Sequence, residues 1–162
     1  MPDMLVKLYE LPSLEPVLTA LRERNIEIRR AVAPEKHLIA GWVGEQFSPY
    51  WVSECEVAFA HQPVGCFIAT QNGKCIGFAC YDATRRGFFG PEGVADELRG
   101  AGVGKGLLLS CLHDMAAQGY GYAIIGSAGP VEFYRRCVGA TPIEGSSPGI
   151  YRGMLRAPAP EN

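Results

Sequence analysis

Residues 93–106 read Gly-Val-Ala-Asp-Glu-Leu-Arg-Gly-Ala-Gly-Val-Gly-Lys-Gly. In this stretch the backbone, more than the side chains, can do chemistry. Glycine has no Cβ, so an anion can approach the main chain itself. Where such a turn opens a helix, the first N–H groups lack intrahelical partners and the dipole presents its positive end. Together these make a phosphate site. Each N–H donated to a charged oxygen contributes about 1.5–3 kcal/mol, so about four would hold a diphosphate with little side-chain help. Arg99 and Lys105 add positive charge at the two rims. Two rival phosphate motifs are excluded by counting. A P-loop would need Gly at 99 and Ser or Thr at 106; those positions hold Arg99 and Gly106. The dinucleotide fingerprint G-x-G-x-x-G fails as well. Started from Gly102 it ends on Leu107, and started from Gly100 it ends on Lys105.

Other reactive side chains are scattered. The six cysteines, Cys55, Cys66, Cys75, Cys80, Cys111 and Cys137, include no C-x-x-C pair. Zinc and thioredoxin-like spacings are therefore absent, and the expectation is reduced, buried thiols with no metal. His37, His61 and His113 lie far apart in the chain. The chain of 162 residues has a net charge of -2 and a pI near 5.9. That balance argues against non-specific nucleic-acid binding. No apolar run approaches the roughly 20 residues of a membrane span. The first residues carry Asp3, Lys7, Glu10 and Pro12, which interrupt any signal-peptide pattern. The expected compartment is the cytoplasm.

The elements that must position the glycine turn follow from periodicity and punctuation. A short strand is expected over residues 5–9, and a helix over 13–24 with Leu14, Val17, Leu18 and Leu21 on one face. A strand follows at 26–30, then a helix opened by Pro34 and another over 50–60. Residues 64–70 and 74–82 form strands around Asn72-Gly73, a strong hairpin signal. A strand over 88–95 is interrupted by Gly90, Pro91 and Gly93. A long helix spans about 102–118, a buried strand 122–126, and a helix 130–138. A last hairpin is expected from 142–144 and 150–155. The order describes a mixed, mostly antiparallel α/β sheet with helices on both faces. Residues 1–25 form an N-terminal extension packed on a sheet edge or at a dimer contact. Residues 26–156 form the main domain and 157–162 a flexible tail.

Arg99-x-x-Gly102-x-Gly104 resembles the R-x-x-G-x-G signature of the GNAT acyltransferase family. Val94 stands where that family's V-x-P-E-x-R-G run begins, with Asp96 in place of the proline. Phe133-Tyr134 falls on a helix where the family often carries a tyrosine. The element order agrees from about Ile26 to Leu155. The resemblance implies a sheet splayed between its fourth and fifth strands, counting from Ile26, with acetyl-CoA as co-substrate. It implies cofactor contacts from Val94, Arg99, Gly100, Ala101, Gly102, Val103, Gly104, Lys105 and Ser127, which replaces a frequent asparagine. The Val94 N–H would face the thioester carbonyl, and Gly90, Pro91 and Gly93 would supply a bulge that opens the sheet. Tyr134 would be the general acid for the departing thiolate. Glu92 is the leading general base, with Asp82 an alternative. Phe47, Trp51, Glu54 and Asp82 would contact the acceptor. The implied activity is N-acetyl transfer to a primary amine of a small molecule or a peptide N-terminus, in a possible homodimer. Two alternatives stay open: a different acyl-CoA, or a CoA-binding sensor without turnover.

Overall fold

Asn72 and Gly73 take φ of +51° and +72°. That pair closes a tight hairpin between β3 (Cys66–Gln71) and β4 (Lys74–Tyr81). The computed structural model describes residues 1–160, and the sheet grows outward from this hairpin. On one side lies β2 (Ile26–Arg30), antiparallel to β3. On the other side β5 (Phe88–Val94) pairs antiparallel with β4. Beyond it lie β6 (Tyr122–Ile125), β1 (Met4–Lys7) and β7 (Thr141–Pro142). The seven-stranded order is β2-β3-β4-β5-β6-β1-β7. Only β5 and β6 run parallel, and they touch only at Phe88–Ile124 and Phe89–Ile125.

The helices divide between the faces. α1 (Glu15–Arg22), α4 (Val103–Ala117) and α5 (Val131–Val138) share one apolar cluster with β1, β5 and β6. α2 (Lys36–Gln46) and α3 (Pro49–Phe59) share another with Phe78, Cys66 and Cys80. α4 is buried on almost every side, with Leu107, Leu108, Leu109, Leu112 and Met115 fully enclosed. A polar brace ties it to the sheet. Arg30 donates to Asp114 Oδ1 at 2.6 Å and to the Val64 carbonyl at 2.7 Å. The Tyr81 hydroxyl donates to Asp114. Burial and this carboxylate push the Tyr81 phenol up to about 12. Among the described residues, no helix is long and apolar enough to cross a membrane.

Two expectations at the chain ends are corrected. The N-terminal strand is not an edge addition: β1 lies inside the sheet, between β6 and β7. The alternation of buried Met4 and Val6 with less buried Leu5 and exposed Lys7 fits an interior strand with helices over one face. The terminal hairpin does not form. β7 is two residues long and pairs with β1, and Gly149–Tyr151 is a 3-10 turn rather than a strand. Because β1 occupies the place beside β6, no second C-terminal strand is needed there. Of the expected tail, Ala157 donates its N–H to the Tyr50 hydroxyl at 2.7 Å; Glu161 and Asn162 lie outside the described residues.

Candidate active site

The site begins with a register slip. Gly77, Phe78 and Ala79 of β4 face Val94, Gly93 and Glu92, but Tyr81 faces Phe89. β5 therefore carries one extra residue around Gly90-Pro91, which is a β-bulge. Gly90 sits at φ +120°, a conformation that side-chain-bearing residues rarely adopt. Beyond the bulge β5 no longer contacts β6, and the sheet opens.

The ladder alternation orients what faces that opening. Ala95 donates to the Ile76 carbonyl at 2.8 Å. In an antiparallel pair, successive residues point their N–H groups alternately at the partner strand and away from it. The Val94 N–H thus points away from β4, toward the gap. That is the N–H the resemblance assigns to the thioester carbonyl, and the strand's pairing alone sets its direction.

The glycine turn lies one step further on. Gly102 caps α4 with φ +91°, and the first helical hydrogen bond runs from Gly106 N to Gly102 O at 3.0 Å. The N–H groups of Val103, Gly104 and Lys105 precede that bond at the helix mouth. Arg99 is exposed and pairs with Asp96 at 3.1 Å, leaving its guanidinium at the rim. Gly100 and Ala101 complete the turn, with the Ala101 carbonyl accepting from Arg24, just past α1, at 3.4 Å. Residues 99–105 therefore lie together at one helix start, next to the opened strand.

Glu92 and Tyr134 meet on the α4–α5 side of β5. Tyr134 is 8% exposed and packs against Phe89 and Phe133, with ring centroids 6.4 and 5.2 Å away. The Glu92 carboxyl lies beside it, and its Oε1 is buried with no hydrogen-bond partner among the described residues. Burial pushes the Glu92 carboxyl well above the ordinary range, so it favours the neutral form. Burial, and then the Glu92 charge, push the Tyr134 phenol up as well. The folded state thus penalises the Glu92 anion while the unfolded chain does not. Above the ordinary value of 4.5, stability falls as pH rises through the raised folded value. Glu92→Gln removes that penalty. Its melting temperature is expected to match or exceed that of the parent chain at neutral pH, with the difference widening from pH 5 to 8. A thermal melt of both chains across that range checks this.

The other expected acceptor contacts divide. Gly93 points to the opposite face of β5 from Glu92, where Phe47 lies directly against it. Phe47 in turn packs on Trp51, Trp42 and Phe78 at 4.9–5.9 Å between ring centroids. Phe47 and Trp51 thus wall the α2–α3 side, while Glu92 sits across the strand from them. Glu54 of α3 accepts a hydrogen bond from the Thr84 hydroxyl, and burial raises its carboxyl. Asp82 stands just past the end of β4. Its Oδ1 accepts from Gly87 N and its Oδ2 from the Tyr120 hydroxyl, both at 2.6 Å. Both oxygens accept bonds that hold the β4–β5 turn, which gives Asp82 a structural role there. Ser127 follows β6 at φ +46° and donates its N–H to Asp3 Oδ1 at 2.7 Å, which fixes the loop entering α5.

Sequence reasoning missed three features. Tyr151 lies directly over Gly126, beside Phe88. Thr84 anchors Glu54. Cys55, Cys66 and Cys80 converge, with all three sulfurs within 4.8 Å of one another. Within that trio, hydrogen bonds from Cys66 and Cys80 hold the Cys55 thiol below its usual range, while Cys80 is raised by burial. Tyr151 and Thr84 come from loops that carry no periodic signal.

The comparisons agree with this geometry. The acetyltransferase (GNAT) family model matches residues 21–140. No curated protein matches the chain. Among solved structures, a GCN5-related glucosamine N-acetyltransferase region of a fungal multi-domain GH3 β-N-acetylglucosaminidase superposes with a TM-score of 0.72 at 16% identity. The match covers 88% of this chain and 19% of that one. A GCN5-related N-acetyltransferase from Sphaerobacter thermophilus gives 0.67 at 20% identity, covering 88% and 48%. One from Kribbella flavida gives 0.56 at 16%, covering 87% and 53%. The chain thus spans from about a fifth to about half the length of these neighbours. Matched over most of its length by the family model and sharing its splayed sheet with these structures, the chain belongs to the GNAT acetyltransferase family.

Proposed function

We propose that this chain moves an acetyl group from acetyl-CoA to a primary amine of a small molecule or a peptide N-terminus, by direct attack in a ternary complex. The observation that carries the proposal is one continuous path. The helix mouth at Val103–Lys105 leads to the Val94 N–H, and that leads to the buried Glu92–Tyr134 pair. The first group binds a diphosphate, the second stabilises an oxyanion, and the third supplies a proton. The fungal neighbour named for glucosamine N-acetylation acts on an amine of the proposed class.

In the proposed reaction the acceptor amine forms a C–N bond at the thioester carbonyl, whose oxygen is held by the Val94 N–H. The tetrahedral species collapses with loss of the C–S bond. Tyr134 then protonates the departing sulfur. A phenol raised by burial is a poor donor to a thiol of pKa about 8.5 on its own. The neutral Glu92 carboxyl changes that balance. As Tyr134 gives up its proton, Glu92 passes its own to the phenolate oxygen. The net donor becomes a carboxyl, and the proton lost by the acceptor nitrogen, once its C–N bond has formed, restores Glu92. Glu92 thus serves as a proton reservoir for Tyr134 and, by taking up the nitrogen's proton, closes the cycle in the base role expected from its position in the sequence. Glu54, held by Thr84 beneath the Trp51 side of the cleft, supplies a carboxylate for a cationic acceptor.

Release of free thiol from acetyl-CoA, followed against a panel of small amines and peptides, tests the function. Turnover on at least one amine is the expected result. Binding of acetyl-CoA without turnover on any amine would make the chain a sensor. Arg99→Glu is expected to raise the KM for acetyl-CoA about tenfold with little change in kcat, because Arg99 touches the diphosphate rather than the reacting carbon. An unchanged KM would move the diphosphate away from this turn.

A further inference from the structure

The convergence of Cys55, Cys66 and Cys80 has no part in the acyl-transfer chemistry. The three residues come from α3, β3 and β4, and each is 0% exposed. Cys66 and Cys80 are direct cross-strand partners, so the sheet itself fixes two of the sulfurs. Cys55 closes the triangle from the helix above. The surroundings are apolar: Ala58, Val64, Ile68 and Phe78 belong to the same cluster.

We propose that these three thiols form a trigonal site for a soft monovalent cation, copper(I). Three sulfurs around an ion with bonds of about 2.3 Å stand about 4.0 Å apart. The observed sulfurs lie within 4.8 Å of one another, so a contraction of less than about 1 Å closes the site. The donor set selects the ion. Among the described residues the group holds three ligands and no fourth His, Cys, Asp or Glu. Structural zinc and iron–sulfur clusters call for four. Hard cations call for oxygen donors. The complete burial of the sulfurs keeps water from serving as a fourth ligand. Soft thiolate ligation with three-fold coordination fits copper(I). Binding replaces S–H bonds by S–Cu bonds. The displaced thiol protons leave to solvent, copper stays monovalent, and no electron is transferred. The bound ion ties α3, which carries Trp51 and Glu54, to the central hairpin.

Anaerobic titration of the full chain with copper(I) held by bathocuproine disulfonate tests the site. The folded protein is expected to withdraw one equivalent, and X-ray absorption to show three sulfur neighbours. At a hundredfold excess over Kd the melting temperature should rise by about 5–10 °C. Cys75→Ser/Cys137→Ser leaves the trio intact and should keep the equivalent; Cys55→Ser should lose it while circular dichroism stays unchanged. Should Cys55→Ser fail to fold, the double variant decides alone. A folded double variant that takes up no copper overturns the proposal. So does one that binds cobalt(II) with tetrahedral d–d bands, since that requires a fourth ligand.

Discussion

Tyr134→Phe is expected to lower kcat about a hundredfold or more, with the KM for acetyl-CoA changed less than about threefold. The substitution removes one oxygen and keeps the ring, so packing against Phe89 and Phe133 is preserved. What is lost is the phenol beside the buried Glu92 carboxyl. A carboxyl left without that relay lies back on the α4 side of β5, away from the departing sulfur. The proton must then come from water, without a positioned donor. Thiol release under saturating acetyl-CoA and amine measures the effect directly. An undiminished kcat would end the acid role of Tyr134 and the reservoir role of Glu92 together. A Glu92→Gln chain with normal kcat would remove the reservoir alone.

The second large effect concerns a segment that precedes the family match. A chain beginning at residue 11 is expected to lose its cooperative thermal transition. β1 pairs on both sides, with β6 through Met4, Leu5, Val6 and Lys7 and with β7 through Met4 and Leu5. Its Met4 and Val6 are fully buried. Just before it, Asp3 accepts from Ile143 N at 2.8 Å and from Ser127 N at 2.7 Å, and Pro2 accepts from Ala128 N at 2.8 Å. Removing the segment exposes two strand edges and leaves the entry to α5 without its anchor. Met4→Ala alone should cost about 2–5 kcal/mol by the cavity it creates. Set against a typical total of about 5–15 kcal/mol, losing the whole strand unfolds the domain. Far-UV circular dichroism melts test it, and a shortened chain with an unchanged transition would show β1 to be dispensable. The same truncation should abolish turnover, because Ser127 and Tyr134 follow the loop that Asp3 holds.

What the sequence determined by itself is local. The Asn72-Gly73 turn follows from two residues that tolerate positive φ, and the hairpin forms there. The phosphate cradle is equally local: Gly102 at a helix start and unpaired N–H groups after it are properties of one short segment. The interruption at Gly90-Pro91 announced a bulge, and the register slips there.

Only the tertiary structure decided which of the reactive side chains meet. Glu92 and Gly93 are neighbours in β5, yet strand alternation turns them to opposite faces, and Phe47 packs against the Gly93 face only. Asp82 has the type of a base, and only the fold shows that both its oxygens also accept bonds that hold a turn. The N-terminal strand has a modest pattern of alternation, and nothing in four residues specifies that β6 and β7 will lie on either side of it. The cysteines show the reason most directly. An uninterrupted Asn-Gly hairpin would set Cys66 opposite Ala79. A one-residue shift between Ala69 and Thr70 sets it opposite Cys80 instead. Because side chains alternate with a period of two, that single shift turns an unremarkable pair into two thiols on one face beneath Cys55. Glycines and turns act through their own φ and ψ and are legible in the chain. Pairings between distant side chains depend on register, which the packed sheet alone sets.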